Sequence, residues 1–154
     1  MILTAALRKK SGFTLIELLV VMTIMAVLFG LAMVSFQGTR KTARDGKRKA
    51  DLEQIRSALE MRRADCGSYP SGSLSSGNNI TGINPAPCTC CAATIYLTIP
   101  NDPLSSAGRV YTYNGTANSY TLCAVLETGS SLSCPGSCAN CGVGISCTYE
   151  VCNP

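Results

Sequence analysis

The longest apolar run in the chain covers residues 13–36, where only Thr14, Glu17, Thr23, Gly30 and Ser35 interrupt the hydrophobic positions. As a helix this run spans roughly 36 Å, enough to cross a ~30 Å hydrocarbon core. The pattern then changes. Over residues 37–65, Ala43, Ala50, Leu52, Ile55, Ala58, Leu59 and Met61 recur at helical spacing, and nine Lys/Arg and five Asp/Glu fill the other positions. This predicts an amphipathic continuation of the same helix, one stripe packed inward and the charges in solvent, joined in i,i+4 pairs. Cys66-Gly67-Ser68-Tyr69-Pro70 ends it, with Gly67 as C-cap and Pro70 unable to continue the turn. Gly30, Gly38 and Gly46 are its expected soft points.

Residues 71–87, rich in Gly, Ser, Asn and Pro, read as a loop. A short apolar segment at 95–99 is stopped by Pro100-Asn101-Asp102-Pro103, where Asp102 suits turn chemistry. Residues 110–113 and 119–126 alternate with period two around Asn114-Gly115, predicting an antiparallel hairpin with a loop longer than the minimum. Tyr111 and Tyr113 share one face of the first strand, and Tyr120, Leu122, Ala124 and Leu126 one face of the second. These faces are the expected core against the helix. The fold class is therefore α+β: a long N-terminal helix packed on a small antiparallel sheet.

Composition adds a compartment. Ten cysteines stand in 154 residues, nine of them between Cys88 and Cys152, an even count that suits disulfides formed in an oxidising compartment. Cys66, Cys88, Cys90, Cys91, Cys123, Cys134, Cys138, Cys141, Cys147 and Cys152 are the candidates. Their pairing is open, with adjacent Cys90 and Cys91 expected to take different partners. Thiolate metal binding by Cys138-x-x-Cys141 with Cys134, or by Cys88-x-Cys90-Cys91, is the lesser alternative; no metal or other cofactor is expected. The chain has no histidine, which removes His-based acid/base and nucleophile chemistry.

Net charge is +4, yet twelve of thirteen Lys/Arg precede residue 64, so the basic balance belongs to the stem. That basic face could meet nucleic acid or anionic lipid, although a solvated stem is the favoured reading. Asn79-Ile-Thr and Asn114-Gly-Thr fit the N-glycosylation pattern, a frequent chance match.

The last feature is the junction Lys9-Lys10-Ser11-Gly12-Phe13-Thr14-Leu15-Ile16-Glu17-Leu18. Its small residues precede the apolar run, whereas a secretory cleavage site would follow it. Cleavage after Gly12 would leave the span attached and expose a Phe13 amine four positions before Glu17. A carboxylate inside a span is costly and a functional suspect, or else it sits at headgroup level near the positive helix end.

This junction closely resembles the prepilin signature of type IV pilins and type II secretion pseudopilins. The helix end, Arg63-Ala64-Asp65 followed by Gly-x-Tyr-Pro, and the Pro-x-Asp-Pro, Tyr-x-Tyr and Tyr-x-Leu segments resemble the same family more loosely. The resemblance implies cleavage between Gly12 and Phe13 by the prepilin peptidase, N-methylation of Phe13, and a role for Glu17 in subunit assembly. It divides the chain into a leader (1–12), a transmembrane and filament-core helix (13–36), its amphipathic continuation (37–66) and a cysteine-rich head (67–154).

The implied function is that of a structural, non-enzymatic subunit of a type IV pilus-like homopolymer. The subunit would be held single-pass in the cytoplasmic membrane, leader inside and head outside, and lifted from lipid by a membrane platform and its ATPase. It would end in an extracellular or periplasmic filament. A pseudopilin of a secretion or DNA-uptake machine is one alternative, and a non-polymerising, membrane-anchored, cysteine-rich binding or redox module is another. Val34 stands where many members carry proline, and no acidic run after Leu126 matches the family's calcium loop; calcium is not carried over.

Overall fold

A computed structural model describes residues 12–82, 94–132, 134 and 140–153. The basic leader with Arg8, Lys9 and Lys10, and Cys88, Cys90, Cys91 and Cys138, lie outside the described residues. The chain forms two compact units that divide between Thr39 and Arg40.

Helix α1 (Leu15–Cys66) contains both the apolar run and the charged stem. It remains helical at Gly30, Gly38 and Gly46, so none of the three breaks it. It stops where expected: Gly67 takes φ +72° and its amide donates to the Arg63 carbonyl at 2.8 Å, the left-handed cap that glycine alone adopts without strain.

In the first unit every described side chain from Phe13 to Met33 is exposed, as is Phe36. The second unit is the head with its part of α1. Its main sheet has the order β1-β4-β5-β6, all antiparallel, from β1 (Gly72–Ser75), β4 (Thr112–Gly115), β5 (Tyr120–Ala124) and β6 (Tyr149–Cys152). A second, two-stranded sheet pairs β2 (Asn79–Thr81) with β3 (Ile95–Thr98).

The expected sheet face is the core. Tyr111, Tyr113, Tyr120, Leu122 and Ala124 are buried with Leu52, Ile55, Ala58 and Leu59 of the helix, joined by Tyr69, Leu74, Ile80, Ile99 and Val151. The Tyr69 and Tyr120 rings meet edge to face with centroids 4.8 Å apart, a favoured aromatic geometry.

Three local expectations are corrected. Residues 71–87 are not all loop, because β1 and β2 lie within them, each burying one apolar side chain, Leu74 or Ile80. The hairpin turn falls at residues 116–119, closed by the Thr116 amide on the Ser119 carbonyl at 2.7 Å, and Asn114-Gly115 belongs to β4. Gly115 is needed there for space, since a Cβ would overlap the Tyr113 hydroxyl, which donates to the Pro70 carbonyl. The inward stripe of the stem is narrower than its apolar periodicity: Ala43, Ala50 and Met61 are exposed, while Asp45, Arg48 and Arg62 are buried in the head-facing side.

The cysteine-rich tail builds part of the head. Its last residues form β6, and Cys141 and Cys147 pack with Cys123, Val125 and Ile145 as a second small core. Cys123 and Val125 alternate with the core-facing Leu122 and Ala124, so they lie on the opposite face of the sheet. The tail covers that face.

Candidate assembly site

Gly12 and Phe13 precede the helix and are exposed, Phe13 at 86%. Thr14 is the residue just before α1, and Glu17 stands three positions on. The Thr14 amide and hydroxyl both donate to Glu17 Oε2 at 2.9 Å, and the Glu17 amide donates back to Thr14 Oγ1 at 3.3 Å. This is a reciprocal capping box, which satisfies amides that the first helical turn leaves without internal partners.

Beside the headgroup-level and assembly roles expected for Glu17, Thr14-x-x-Glu17 is itself a legible cap signal. The carboxylate is thus ordered beside the Phe13 backbone at the head of an exposed apolar surface running along Leu15, Ile16, Leu18, Leu19 and onward. By length and composition α1 can cross a membrane.

The cysteines are oxidised wherever they are described. Cys134 pairs with Cys152 and Cys141 with Cys147, at Cα separations of 5.8 and 5.2 Å. Cys66 and Cys123 are disulfide-bonded as well. Among the described residues no group of three or more His, Cys, Asp or Glu is arranged to hold a metal.

Sequence reasoning missed a buried ionic hub that locks the stem to the head. Arg48, with no exposed side-chain surface, donates through Nε and Nη2 to Asp102 at 2.7 and 3.0 Å, and through Nη1 to Asp45 at 2.8 Å and Glu127 at 2.9 Å. Arg44 adds a two-pronged pair to Glu127, both bonds 2.6 Å. Asp45 also accepts the Glu127 and Thr128 amides at 2.9 and 2.8 Å and the Thr128 hydroxyl at 2.6 Å.

Asp102 keeps its expected turn bond, accepting the Leu104 amide at 2.7 Å, but its larger role is as Arg48's partner. Three segments distant in sequence are thereby tied at one guanidinium. The charges respond accordingly. Burial works to raise the Asp45 pKa, but the Thr128 hydroxyl, the Glu127 and Thr128 amides and Arg48 prevail and hold it at about 2. The Arg44 bonds, against burial and with help from Arg48, hold Glu127 at about 2.

Farther along the stem, tyrosine hydroxyls take up its carboxylates. Tyr111 donates to Asp51 at 2.8 Å, Tyr69 to Glu60 at 2.9 Å and Tyr96 to Asp65 at 2.9 Å. Arg62 donates to the Thr81 and Ser68 carbonyls.

The prokaryotic N-terminal methylation motif matches residues 7–33. Among curated proteins, the type II secretion system core protein G of Aeromonas hydrophila is 35% identical over 63 residues, 41% of this chain and 44% of that protein. Its counterpart in Pseudomonas aeruginosa is 38% identical over 64 residues, 42% of this chain and 45% of that protein. The counterpart in Vibrio cholerae is 29% identical over 122 residues, 75% of this chain and 82% of that protein. Over most of these pairs the chain therefore spans less than half the length of the relative. No solved structure matches the chain significantly.

Proposed function

Since this chain belongs to the type IV pilin and pseudopilin family, we propose that it is a pseudopilin-type structural subunit that polymerises through its N-terminal helix in a secretion machine. The observation that carries this reading is the apolar helix surface from Phe13 to Phe36, exposed along its described length and led by an ordered carboxylate at Glu17. An apolar face of that size is covered by lipid before assembly and by neighbouring subunits afterwards. The prepilin peptidase cuts between Gly12 and Phe13, and the new amine is methylated. A membrane platform and its ATPase then pass the subunit into a periplasmic filament, with the head outside and the leader inside.

Glu17 has two partners in turn. In the free subunit it caps its own helix through Thr14. In the filament it accepts the Phe13 amine of a neighbour, and a misregistered subunit would bury an unpaired charge, which is strongly penalised. The role is structural, and no catalytic residue is assigned. The secretion assignment rests on the core protein G relatives; a surface pilus shares every N-terminal feature.

The test is expression of Glu17→Leu beside the unaltered chain. The variant should insert in membranes normally and form no filaments, and normal filament yield from it would overturn the register role. Imaging of the unaltered filaments as short periplasmic structures supports the pseudopilin assignment, and long surface fibres refute it.

A further inference from the structure

The hub has a consequence for the surface of the stem next to the apolar run. Residues 37–49 contain six cations, Arg40, Lys41, Arg44, Lys47, Arg48 and Lys49, against one acid, Asp45. Asp45 is buried and held by Arg48, Thr128 and the Glu127 amide. Arg48 is buried with it, and Arg44 is engaged by Glu127. What stays exposed is of one sign: Arg40, Lys41, Lys47 and Lys49, the last with its ammonium 5.6 Å from the Tyr149 ring centroid.

Two acids follow by residue 53, fewer than the four exposed cations. Asp51 takes the Tyr111 hydroxyl, and Glu53 lies 3.7 Å from Arg56. Arg40 and Lys41 follow Phe36 by four and five residues, so in sequence they adjoin the apolar run. Lys47 and Lys49 follow Phe36 by eleven and thirteen residues, and only their long flexible side chains extend their reach toward an anionic surface.

We propose that Arg40, Lys41, Lys47 and Lys49 form a collar that binds anionic phospholipid headgroups where the apolar helix leaves the bilayer. The partner is a lipid surface, chosen over nucleic acid because the charges adjoin the span and grade away from it. The inference rests on the membrane-anchored stage of the proposed function. The four cations lie outside the hub, whose own guanidiniums, Arg44 and Arg48, are held by the carboxylates of Asp45, Asp102 and Glu127. Acidic lipid then retains the subunit, and assembly must release those headgroups.

The experiment reconstitutes the full chain in phosphatidylcholine vesicles containing spin-labelled phosphatidylglycerol or spin-labelled phosphatidylcholine, and compares the protein-bound fraction of each. The unaltered chain should prefer the anionic label. Replacing all four residues by glutamine should lower that preference about tenfold, and each of Arg40→Gln and Lys41→Gln alone up to about fivefold. Lys47→Gln with Lys49→Gln should cost less than Arg40→Gln with Lys41→Gln, and Arg56→Gln should change nothing.

Salt at 0.5 M should erase most of the difference between the unaltered and fourfold variant chains. Equal preference in those two chains, both stably inserted, overturns the collar while leaving the membrane-anchored reading intact. Failure of the unaltered chain to insert in any vesicle overturns both. Tight duplex DNA binding that depends on the four residues, without lipid preference, assigns the surface to nucleic acid and refutes the proposal.

Discussion

Arg48→Met should cost about 3–5 kcal/mol, because it removes the cation of a buried ionic group and leaves carboxylates behind. The distribution of the loss follows from the partners that remain. Asp45 keeps three donors from Glu127 and Thr128, and Glu127 keeps both bonds from Arg44. Asp102 loses both guanidinium bonds and retains the Leu104 amide, with its side chain only 1% exposed. Asp102 therefore carries most of the penalty.

Neutralising it should recover part of the loss. Arg48→Met with Asp102→Asn is expected to be less destabilised than the two single changes summed, by about 1–3 kcal/mol. The assay is urea unfolding of the full chain in detergent with disulfides intact, followed by tyrosine fluorescence. A cost below about 1 kcal/mol for Arg48→Met, or strict additivity in the cycle, would refute the argument that the hub is a buried and mutually dependent unit.

Three further predictions test the head. Asp45 and Glu127 have pKa values of about 2 against usual values of 3.8 and 4.5, so the stability they contribute is complete above about pH 5. It is lost as pH falls through 4.5 toward 2, and an acid titration of unfolding should show that limb, weakened in Arg48→Met. Gly115→Ala should destabilise by about 1–3 kcal/mol in the same unfolding assay, through overlap with the Tyr113 hydroxyl and ring and with the Pro70 carbonyl; adding Tyr113→Phe should not restore the loss, because the ring carbon and the carbonyl stay in place. Replacing Cys141 and Cys147 together by serine opens a short closed loop and should cost about 2 kcal/mol. Hydrogen exchange should then rise at Cys123 and Val125, the sheet face that loop covers.

The fold was legible where the pattern repeats long enough to have a period. Leu52, Ile55, Ala58 and Leu59 set the helix face, Gly67 its end, and the alternation through Tyr111, Tyr113, Tyr120 and Leu122 the core side of the sheet. Strands of three or four residues with one inward side chain, such as those around Leu74 and Ile80, carry no period and resemble loop. The tail is illegible for another reason, since its burial depends on which cysteines pair.

The site divides the same way. Glu17's place after Gly12 is local and readable, as is the Thr14-x-x-Glu17 cap. The hub is not, because Arg and Asp on a stem are solvated by default. Only the three-residue spacing of Asp45 and Arg48 is local, whereas Asp102 and Glu127 arrive from 54 and 79 residues beyond Arg48.

The central claim is that Phe13 begins the working subunit and presents its amine to Glu17 of a neighbour. Intact-mass spectrometry with N-terminal fragmentation, performed on subunits taken from assembled filaments, tests it most directly. The account predicts a chain that starts at N-methylated Phe13; assembled subunits that retain Met1 and residues 2–12 would contradict it.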